Sequence, residues 1–158
     1  MPHSRVIAIR EITDDELIFF TQQGTRKVKE LDENPLISLN FWFELTQRQV
    51  IIEGKAQALS SSENQSYWSS YPRFAQLRFC AYAPTSSQKI DSKKQLEDKK
   101  TKFEALYKEN EVPMSSFYCG YRIQPENFLF YRYRIDELSD VLKFERNKNS
   151  WEQFLISP

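Results

Sequence analysis

Residues 47–59, QRQVIIEGKAQAL, alternate apolar or small side chains with mostly polar ones along most of their length. One side of this alternation carries Val50, Ile52, Gly54 and Ala56. A period of two residues is that of a β-strand with one buried face. A glycine inside such a strand predicts a bulge or a bend. The chain therefore contains at least one long, half-buried strand, which is typical of antiparallel sheets.

The rest of the chain is divided unevenly between strands and helices. Further strands are predicted at residues 5–10, 16–21, 36–43, 117–123, 127–134, 140–146 and 151–156. Helices are predicted at residues 25–33, 61–70, 73–81 and 92–108, with Thr25 and Ser92 as N-caps of the first and last. Because strands and helices do not alternate regularly, the pattern indicates a mainly β (α+β) class, an antiparallel barrel with outer helices. We expect one domain over residues 1–158, with a helical insert at about 61–108.

Charge and residue usage exclude several classes of function. Lys and Arg total 22, as do Asp and Glu, so the chain lacks the net positive charge of a broad nucleic-acid surface. No apolar run is long enough to span a bilayer, and the first residues do not form a signal peptide, so we expect the cytoplasm. One histidine, His3, and two distant cysteines, Cys80 and Cys119, predict reduced thiols and no metal site.

A basic turn lies in the stretch FFTQQGTRKVKELDENP, residues 19–35, where a predicted strand meets a predicted helix. Arg26 and Lys27 occupy the first helical turn, where the helix dipole disfavours cations. An anion bound between these cations and the free backbone N–H groups explains their position. A solvent-exposed turn that is basic by chance explains it equally well. The residues alone leave both interpretations open.

Several motifs, in order along essentially the whole chain, resemble those of the pyridoxamine 5′-phosphate oxidases, a family of flavin-binding split barrels. They are SRVIAIR (4–10), FFTQQGTRKVKELDENP (19–35), RQVIIEGKAQAL (48–59), YWSSYPR (67–73), EVP (111–113), GYRIQPENFLFY (120–131) and WEQFLISP (151–158). The resemblance implies a split β-barrel, an FMN cofactor, and a homodimer with FMN at its interface. The sequence begins directly at the family's first flavin motif, without the usual N-terminal extension, so we expect either a naturally short member or a fragment.

The resemblance implies roles for particular residues around the flavin. Arg5, Arg26 and Lys27, supported by Thr25, are expected to hold the FMN phosphate. A phosphomonoester with a charge near −2 suits such charge-assisted donors. Further flavin contacts are expected from Val6, Ile7, Arg10, Phe20, Thr21, Gln49, Thr85, Ser86 and Tyr131.

The substrate side departs from the family pattern. Tyr67 matches the tyrosine with which the family holds its substrate phosphate, and Arg10 stands where the family has lysine. Tyr67, Tyr71 and Arg10 are therefore the candidate substrate-binding residues, and no catalytic residue is assigned. Tyr71 and Ala75 stand where the family's phosphate clamp has an arginine and a serine. Glu137, Ser139 and Val141 stand where the family has a second arginine, a histidine and a flavin-contacting arginine.

Three functions are compatible with these residues. The first, which we favour, is an FMN-dependent oxidase-type oxidoreductase acting on a small molecule other than the B6 phosphates. A neutral or cationic ligand with an aromatic surface would suit Tyr67, Trp68, Tyr71 and Phe74. The second is a genuine pyridoxamine/pyridoxine 5′-phosphate oxidase of vitamin B6 metabolism whose clamp is rebuilt from Arg73, Arg132 or Arg134. The third is a non-catalytic split barrel that binds flavin or another ligand.

Overall fold

The structure is a computed structural model that describes residues 3–148 and 150–158. Its secondary structure begins with a β-rich half, continues with three helices and returns to β. In chain order the elements are β1 (Ile9–Ile12), β2 (Leu17–Gln22), α1 (Arg26–Glu33), β3 (Leu36–Phe43), β4 (Arg48–Ala58), α2 (Ser61–Ser69), α3 (Arg73–Tyr82), α4 (Lys93–Leu106), β5 (Tyr118–Arg132), β6 (Asp140–Asn147) and β7 (Ser150–Ile156).

These strands form one seven-stranded sheet in the part of the chain that the structure describes. Its order is β1-β2-β5-β4-β3, and β6 pairs with both β5 and β7. The pairs β3/β4, β5/β6 and β6/β7 are antiparallel. Helices α2 to α4 lie between β4 and β5 in the sequence. The predicted mainly β class with an antiparallel sheet and a helical insert is confirmed.

Three of the strand predictions are wrong in their extent. The strand predicted at residues 5–10 begins only at Ile9, and the fully exposed side chain of Val6 gives the preceding segment no apolar face to bury in a sheet. The strands predicted at 117–123 and 127–134 form the single strand β5. β5 runs through Pro125, a residue that a strand tolerates where no ladder bond requires its missing N–H.

The helix starts are only partly as predicted. Ser60 and Glu63 form a capping box at α2: the Glu63 backbone N–H donates to Ser60 Oγ at 3.3 Å, and Glu63 Oε2 accepts from the Ser60 backbone N–H at 2.8 Å. Ser92 stands directly before α4, but its side chain makes no capping hydrogen bond. The prediction of a Ser92 cap is therefore right in position and wrong in contact.

The alternation of apolar and polar side chains predicted for residues 47–59 is preserved in β4. Leu39 of β3 stands opposite Ile52 of β4, and both side chains are buried. The register continues without a break from Leu36↔Lys55 to Phe43↔Arg48, so the bulge predicted at Gly54 is absent from this pairing. Gly54 is required for another reason: a Cβ there would lie 2.1 Å from the backbone oxygen of Gln124.

We expect Gly54→Ala to destabilise the protein by about 1–3 kcal/mol or more, since the new methyl group meets backbone that cannot rotate away. Urea unfolding of this variant measures the loss. Gln57→Ala, an exposed position on the same strand, is the control and should change stability by less than about 0.5 kcal/mol. Equal stability of the two variants would contradict the steric argument.

The chain forms two compact units. The first contains the residues up to Ala8, Phe19–Glu33 and Ala58–Tyr121. Its core consists of Trp68, Leu77, Cys80, Val112 and Tyr118, against which Phe20, Phe79, Phe103, Tyr107 and Met114 pack. The second contains Ile9–Ile18, Asn34–Gln57 and Arg122–Pro158, and its buried side chains include Leu39, Ile52, Ile123 and Val141. The expectation of one domain over residues 1–158 stays a prediction.

Candidate functional site

The basic turn joins β2 to α1 as predicted. Gly24 has a φ of +79°, in the left-handed region that glycine adopts without strain. The turn is closed by the Thr25 backbone N–H, which donates to the Gln22 carbonyl at 3.3 Å. Arg26 is the first residue of α1, so Arg26 and Lys27 stand in the first helical turn.

Three cations of the first unit gather beside this turn. Arg5 Nη2 lies 2.6 Å from Glu30 Oε2, and Arg26 Nε lies 2.7 Å from Glu30 Oε1. The Lys27 ammonium lies 5.5 Å from the centre of the Phe19 ring, within cation–π range. Burial first, and then the charge of Arg5, lowers the pKa of Lys27. The structure therefore brings together the three cations that the family resemblance assigned to one anion.

Thr25 lies among these cations, and its side chain is buried with 7% of its surface exposed. Thr25 stands directly before α1 and its carbonyl accepts from the Lys29 backbone N–H at 3.2 Å, so its predicted N-cap position is right. Within the described ranges its Oγ1 has no hydrogen-bond partner, so the hydroxyl supplies no cap. A buried hydroxyl without a partner is costly unless a ligand supplies one. A phosphate oxygen is such an acceptor, and Glu30 shows that a carboxylate can already accept from two of the nearby donors. The donor set therefore fits the phosphate of FMN.

The lowered pKa of Lys27 predicts a pH dependence for phosphate binding. The lowered pKa means that the ammonium loses its proton at a lower pH than an ordinary lysine, so its attraction for a phosphate declines as the pH rises towards the ordinary value of 10.5. We expect the preference for FMN over riboflavin, measured by fluorescence titration, to fall over this alkaline range. Lys27→Arg keeps its charge there and should remove most of the fall. Identical pH profiles for the two proteins would contradict this role of Lys27.

Aromatic side chains predicted for the flavin and for the substrate meet in the first unit. The Phe20 ring stacks on the Tyr118 ring with centroids 4.8 Å apart, and it lies 5.1 Å from the Tyr67 ring. The Tyr71 ring lies 6.3 Å from the Tyr118 ring. Phe20, Tyr67 and Tyr71, predicted separately for cofactor and substrate, therefore belong to one chain of ring contacts that includes Tyr118, a buried tyrosine that the sequence did not single out.

The loop with Thr85 and Ser86 is connected to the end of β2. The Ser86 backbone N–H donates to Gln22 Oε1 at 3.2 Å, and Thr85 Oγ1 donates to the Tyr82 carbonyl at 2.8 Å. Gln22 is buried, with 6% of its surface exposed. No pattern in the sequence indicated Gln22, because a glutamine next to a turn is typical of a solvent-facing position.

Three further candidates of the first unit differ in their exposure. Val6 is fully exposed, while Ile7 and Thr21 are half-buried. The Thr21 carbonyl accepts a weak hydrogen bond from Cys119 Sγ at 3.5 Å. Burial first, and then the charge of Asp32, raises the pKa of Cys119 to about 11, so its thiol stays protonated at neutral pH.

The remaining candidates belong to the second unit. Gln49 Nε2 donates to Asn40 Oδ1 at 3.0 Å across the β3/β4 pair. The Tyr131 hydroxyl donates to Ser139 Oγ at 3.1 Å, which links an expected flavin contact to a position that differs from the family pattern. Arg10 is an exposed residue of β1.

Neither a metal-ligand cluster nor a membrane-spanning helix is found within the described ranges. No group of three or more His, Cys, Asp or Glu side chains there could hold a metal ion. No helix of residues 3–148 and 150–158 is long and apolar enough to cross a membrane.

Comparison with known proteins identifies the family. Residues 1–107 match the family described as pyridoxamine 5′-phosphate oxidase. The chain belongs to the pyridoxamine 5′-phosphate oxidase family. Residues 118–158 match the family's pyridoxine 5′-phosphate oxidase C-terminal dimerisation region. The resemblance drawn from the motifs is thereby confirmed.

Individual members of the pyridoxamine 5′-phosphate oxidase family match over nearly the whole chain. Pyridoxine/pyridoxamine 5′-phosphate oxidase of Serratia proteamaculans is 32% identical over 157 residues, which cover 99% of this chain and 71% of the relative. The enzyme of the same name from Christiangramia forsetii is 32% identical over 158 residues, which cover 100% and 73%.

Two solved structures share the fold. PhzG from Burkholderia lata, in complex with tetrahydrophenazine-1-carboxylic acid, superposes with a TM-score of 0.83 at 29% identity, covering 99% of this chain and 75% of PhzG. A pyridoxamine 5′-phosphate oxidase-related, FMN-binding protein from Nostoc punctiforme has a TM-score of 0.74 at 18% identity, covering 98% and 80%, and this likeness shows the fold alone.

Two residues of the stretch that resembles the family's substrate motif, Trp68 and Arg73, make structural hydrogen bonds. Trp68 is 1% exposed and its Nε1 donates to the Val112 carbonyl at 2.9 Å, so the expectation that Trp68 offers a surface to a ligand is wrong. Arg73 donates from Nη1 to the Asn110 carbonyl at 2.9 Å and from Nη2 to the Tyr107 carbonyl. Its guanidinium holds two loop carbonyls.

Arg134, another arginine considered for a rebuilt clamp, is paired with two carboxylates. Arg134 Nη1 lies 2.8 Å from Glu137 Oε2, and Arg134 Nη2 lies 2.9 Å from Asp140 Oδ2. The two carboxylates raise the pKa of the guanidinium. Arg134 is therefore paired with Glu137, the residue that stands where the family has an arginine.

Proposed function

We propose that this protein is an FMN-dependent oxidoreductase of the pyridoxamine 5′-phosphate oxidase family whose substrate is not a phosphorylated B6 vitamer. The observation that carries the proposal is a contrast between two groups of residues. The cations for the cofactor phosphate, Arg5, Arg26 and Lys27, are retained and lie together. The clamp positions for a substrate phosphate carry Tyr71 and Ala75.

Each residue of the cofactor site has a physical task. Arg5, Arg26 and Lys27 would bind the phosphate, with Thr25 Oγ1 as a further hydrogen-bonding group. The β2 residues Phe20 and Thr21 lie beside these cations in the chain and would orient the flavin ring. Bound FMN would supply two-electron redox chemistry with oxygen as the final electron acceptor. The protein contributes position and electrostatics.

The substrate class is inferred from the aromatic side chains of the stretch that resembles the family's substrate motif. Tyr67 and Tyr71 are half-buried, and Tyr71 carries no positive charge for a phosphate. Such side chains favour an aromatic or partly reduced heteroaromatic substrate. PhzG, the structural neighbour at 29% identity, was solved with a tricyclic compound of this kind. We therefore place the substrate in this chemical class.

The alternative is a genuine pyridoxamine/pyridoxine 5′-phosphate oxidase, which the names and 32% identity of the relatives favour. It requires new cations in the substrate clamp. Arg73 and Arg134, two of the three candidates, already bind loop carbonyls and carboxylates. A flavin-binding protein without turnover is the third possibility, and the cytoplasm is the predicted location for all three.

A direct test uses the purified protein with FMN added to saturation. The visible absorbance spectrum establishes whether flavin binds, and oxygen consumption is then followed with pyridoxamine 5′-phosphate and with tetrahydrophenazine-1-carboxylic acid. Flavin binding with turnover of the tricyclic acid alone supports the proposal. Efficient turnover of pyridoxamine 5′-phosphate restores the alternative, and a protein that binds no FMN contradicts both.

A homodimer is expected from the C-terminal dimerisation region. β7, within that region, exposes Trp151, Phe154, Leu155 and Ile156, of which Leu155 is 81% exposed. Burial of such side chains at an interface of about 1,200–2,000 Å² would stabilise a dimer. Sedimentation velocity at micromolar concentration should show a dimer that Leu155→Glu weakens. Leu106→Glu, an exposed leucine of α4 outside that region, should leave the dimer intact, and a monomeric wild-type protein would contradict the expectation.

A further inference from the structure

One carboxylate lies between two of the cations that the proposed function assigns to the FMN phosphate. Glu30 stands one helical turn after Arg26 in α1, and its two oxygens bind different arginines. Oε2 accepts from Arg5 Nη2 at 2.6 Å, and Oε1 accepts from Arg26 Nε at 2.7 Å. The side chains of Arg5, Glu30 and Arg26 are 29%, 37% and 57% exposed, so an anion from solution can reach all three.

The two arginines prefer Glu30 in its charged form. Their hydrogen bonds, that of Arg26 first and that of Arg5 second, lower the pKa of the Glu30 carboxyl. At neutral pH the carboxylate is therefore ionised and acts as an internal anion.

A phosphate and this carboxylate share the same two guanidiniums, each of which has five N–H donors and already gives one of them to Glu30. Arg26 Nε has one hydrogen, so it cannot donate a full hydrogen bond to Glu30 and to a phosphate oxygen at once. A phosphate that approaches Arg5 and Arg26 must displace the Glu30 oxygens or accept from fewer hydrogens. The displaced carboxylate also repels a dianion, because both are negative and close. Riboflavin carries no phosphate and does not enter this competition.

We propose that Glu30 is a specificity-determining residue, whose carboxylate competes with the flavin phosphate for Arg5 and Arg26 and thereby weakens the preference for FMN over riboflavin. This inference rests on the proposed FMN site. It assigns to the chain a built-in limit on phosphate affinity that neither the relatives' names nor the basic residues would predict.

The test compares Glu30→Gln with Glu33→Gln by calorimetric titration of FMN, riboflavin and inorganic phosphate. Glu33 is an exposed residue of the same helix, so its variant removes the same charge without touching the arginines. Removing two partly exposed ion pairs should tighten FMN by about 3- to 30-fold and leave riboflavin unchanged. Inorganic phosphate should also bind more tightly to Glu30→Gln. The FMN affinity of the Glu33→Gln protein should differ from that of the wild type by less than about twofold.

Two outcomes would overturn the role of Glu30. FMN affinity within about twofold of the wild type, or weaker, would mean that Glu30 positions the arginines for the phosphate. A gain of equal size in Glu33→Gln would mean that only net charge matters. Thermal unfolding of both variants confirms that they fold. If Arg26→Ala leaves FMN binding unaltered, the phosphate site itself is wrong. If Arg26→Ala weakens FMN while Glu30→Gln does not tighten it, only the inference about Glu30 fails.

Discussion

The double variant Arg5→Ala/Arg26→Ala should bind FMN about 10²- to 10⁴-fold more weakly than the wild-type protein. Each arginine contributes one charge-assisted hydrogen bond to a phosphomonoester, worth about 1.5–3 kcal/mol, and the two guanidiniums lie on the same carboxylate in the structure. The single variant Arg26→Ala should lose about 1.5–3 kcal/mol of FMN binding free energy. Fluorescence or calorimetric titration measures both.

Riboflavin provides the internal control for this result. It shares the flavin ring and lacks the phosphate, so its affinity should be almost unchanged by either substitution. Lys29→Ala is the matched control variant, because Lys29 is an exposed cation of α1 that forms no ion pair with the described residues. Equal losses for FMN and riboflavin would place the anion site elsewhere. A loss of FMN affinity in Lys29→Ala as large as that in Arg26→Ala would mean that the effect depends only on net charge.

Oxidation of pyridoxamine 5′-phosphate at saturating FMN should have a kcat/KM below about 10⁴ M⁻¹s⁻¹, the lower end of the ordinary enzyme range. The reason lies in the changed clamp. Tyr71 offers a neutral ring where the family offers a guanidinium, and the buried Ala75 offers no hydroxyl. Glu137 is negative where the family is positive, and it is paired with Arg134. Steady-state oxygen consumption measures kcat/KM, and a value inside the range would restore the parent activity.

Restoring the family residues tests the cause of this deficit. The quadruple variant Tyr71→Arg, Ala75→Ser, Glu137→Arg and Ser139→His should raise any trace oxidation of pyridoxamine 5′-phosphate. Tyr71→Arg alone should raise it more than Tyr71→Gln, which changes polarity without adding charge. The Ala75→Ser component adds a hydroxyl at a buried site, so the stability of the variant is measured first. An unchanged rate in a folded quadruple variant would refute the explanation.

Local patterns in the sequence determined most of the secondary structure. The alternation at residues 47–59 predicted β4 with Ile52 on its buried face, and α1 to α4 begin and end within two residues of their predicted bounds. Helix and strand periods arise from residues two to four positions apart, so the chain carries them locally. The order of motifs also determined the family and the grouping of Arg26 with Lys27.

Contacts between distant residues were decided only by the tertiary structure. Gly54 is needed because the backbone of Gln124 passes beside it. Trp68 is a core residue whose indole Nε1–H donates a hydrogen bond to the Val112 carbonyl. Glu30 bridges Arg26 in its own helix and Arg5, which lies 25 residues away along the chain. A carboxylate on a helix has several possible partners in sequence, and the folded backbone determines which cations come within hydrogen-bonding distance. The proposed phosphate donors could therefore be identified from the sequence, but the internal anion that competes for them could not, because its second partner is set by folding.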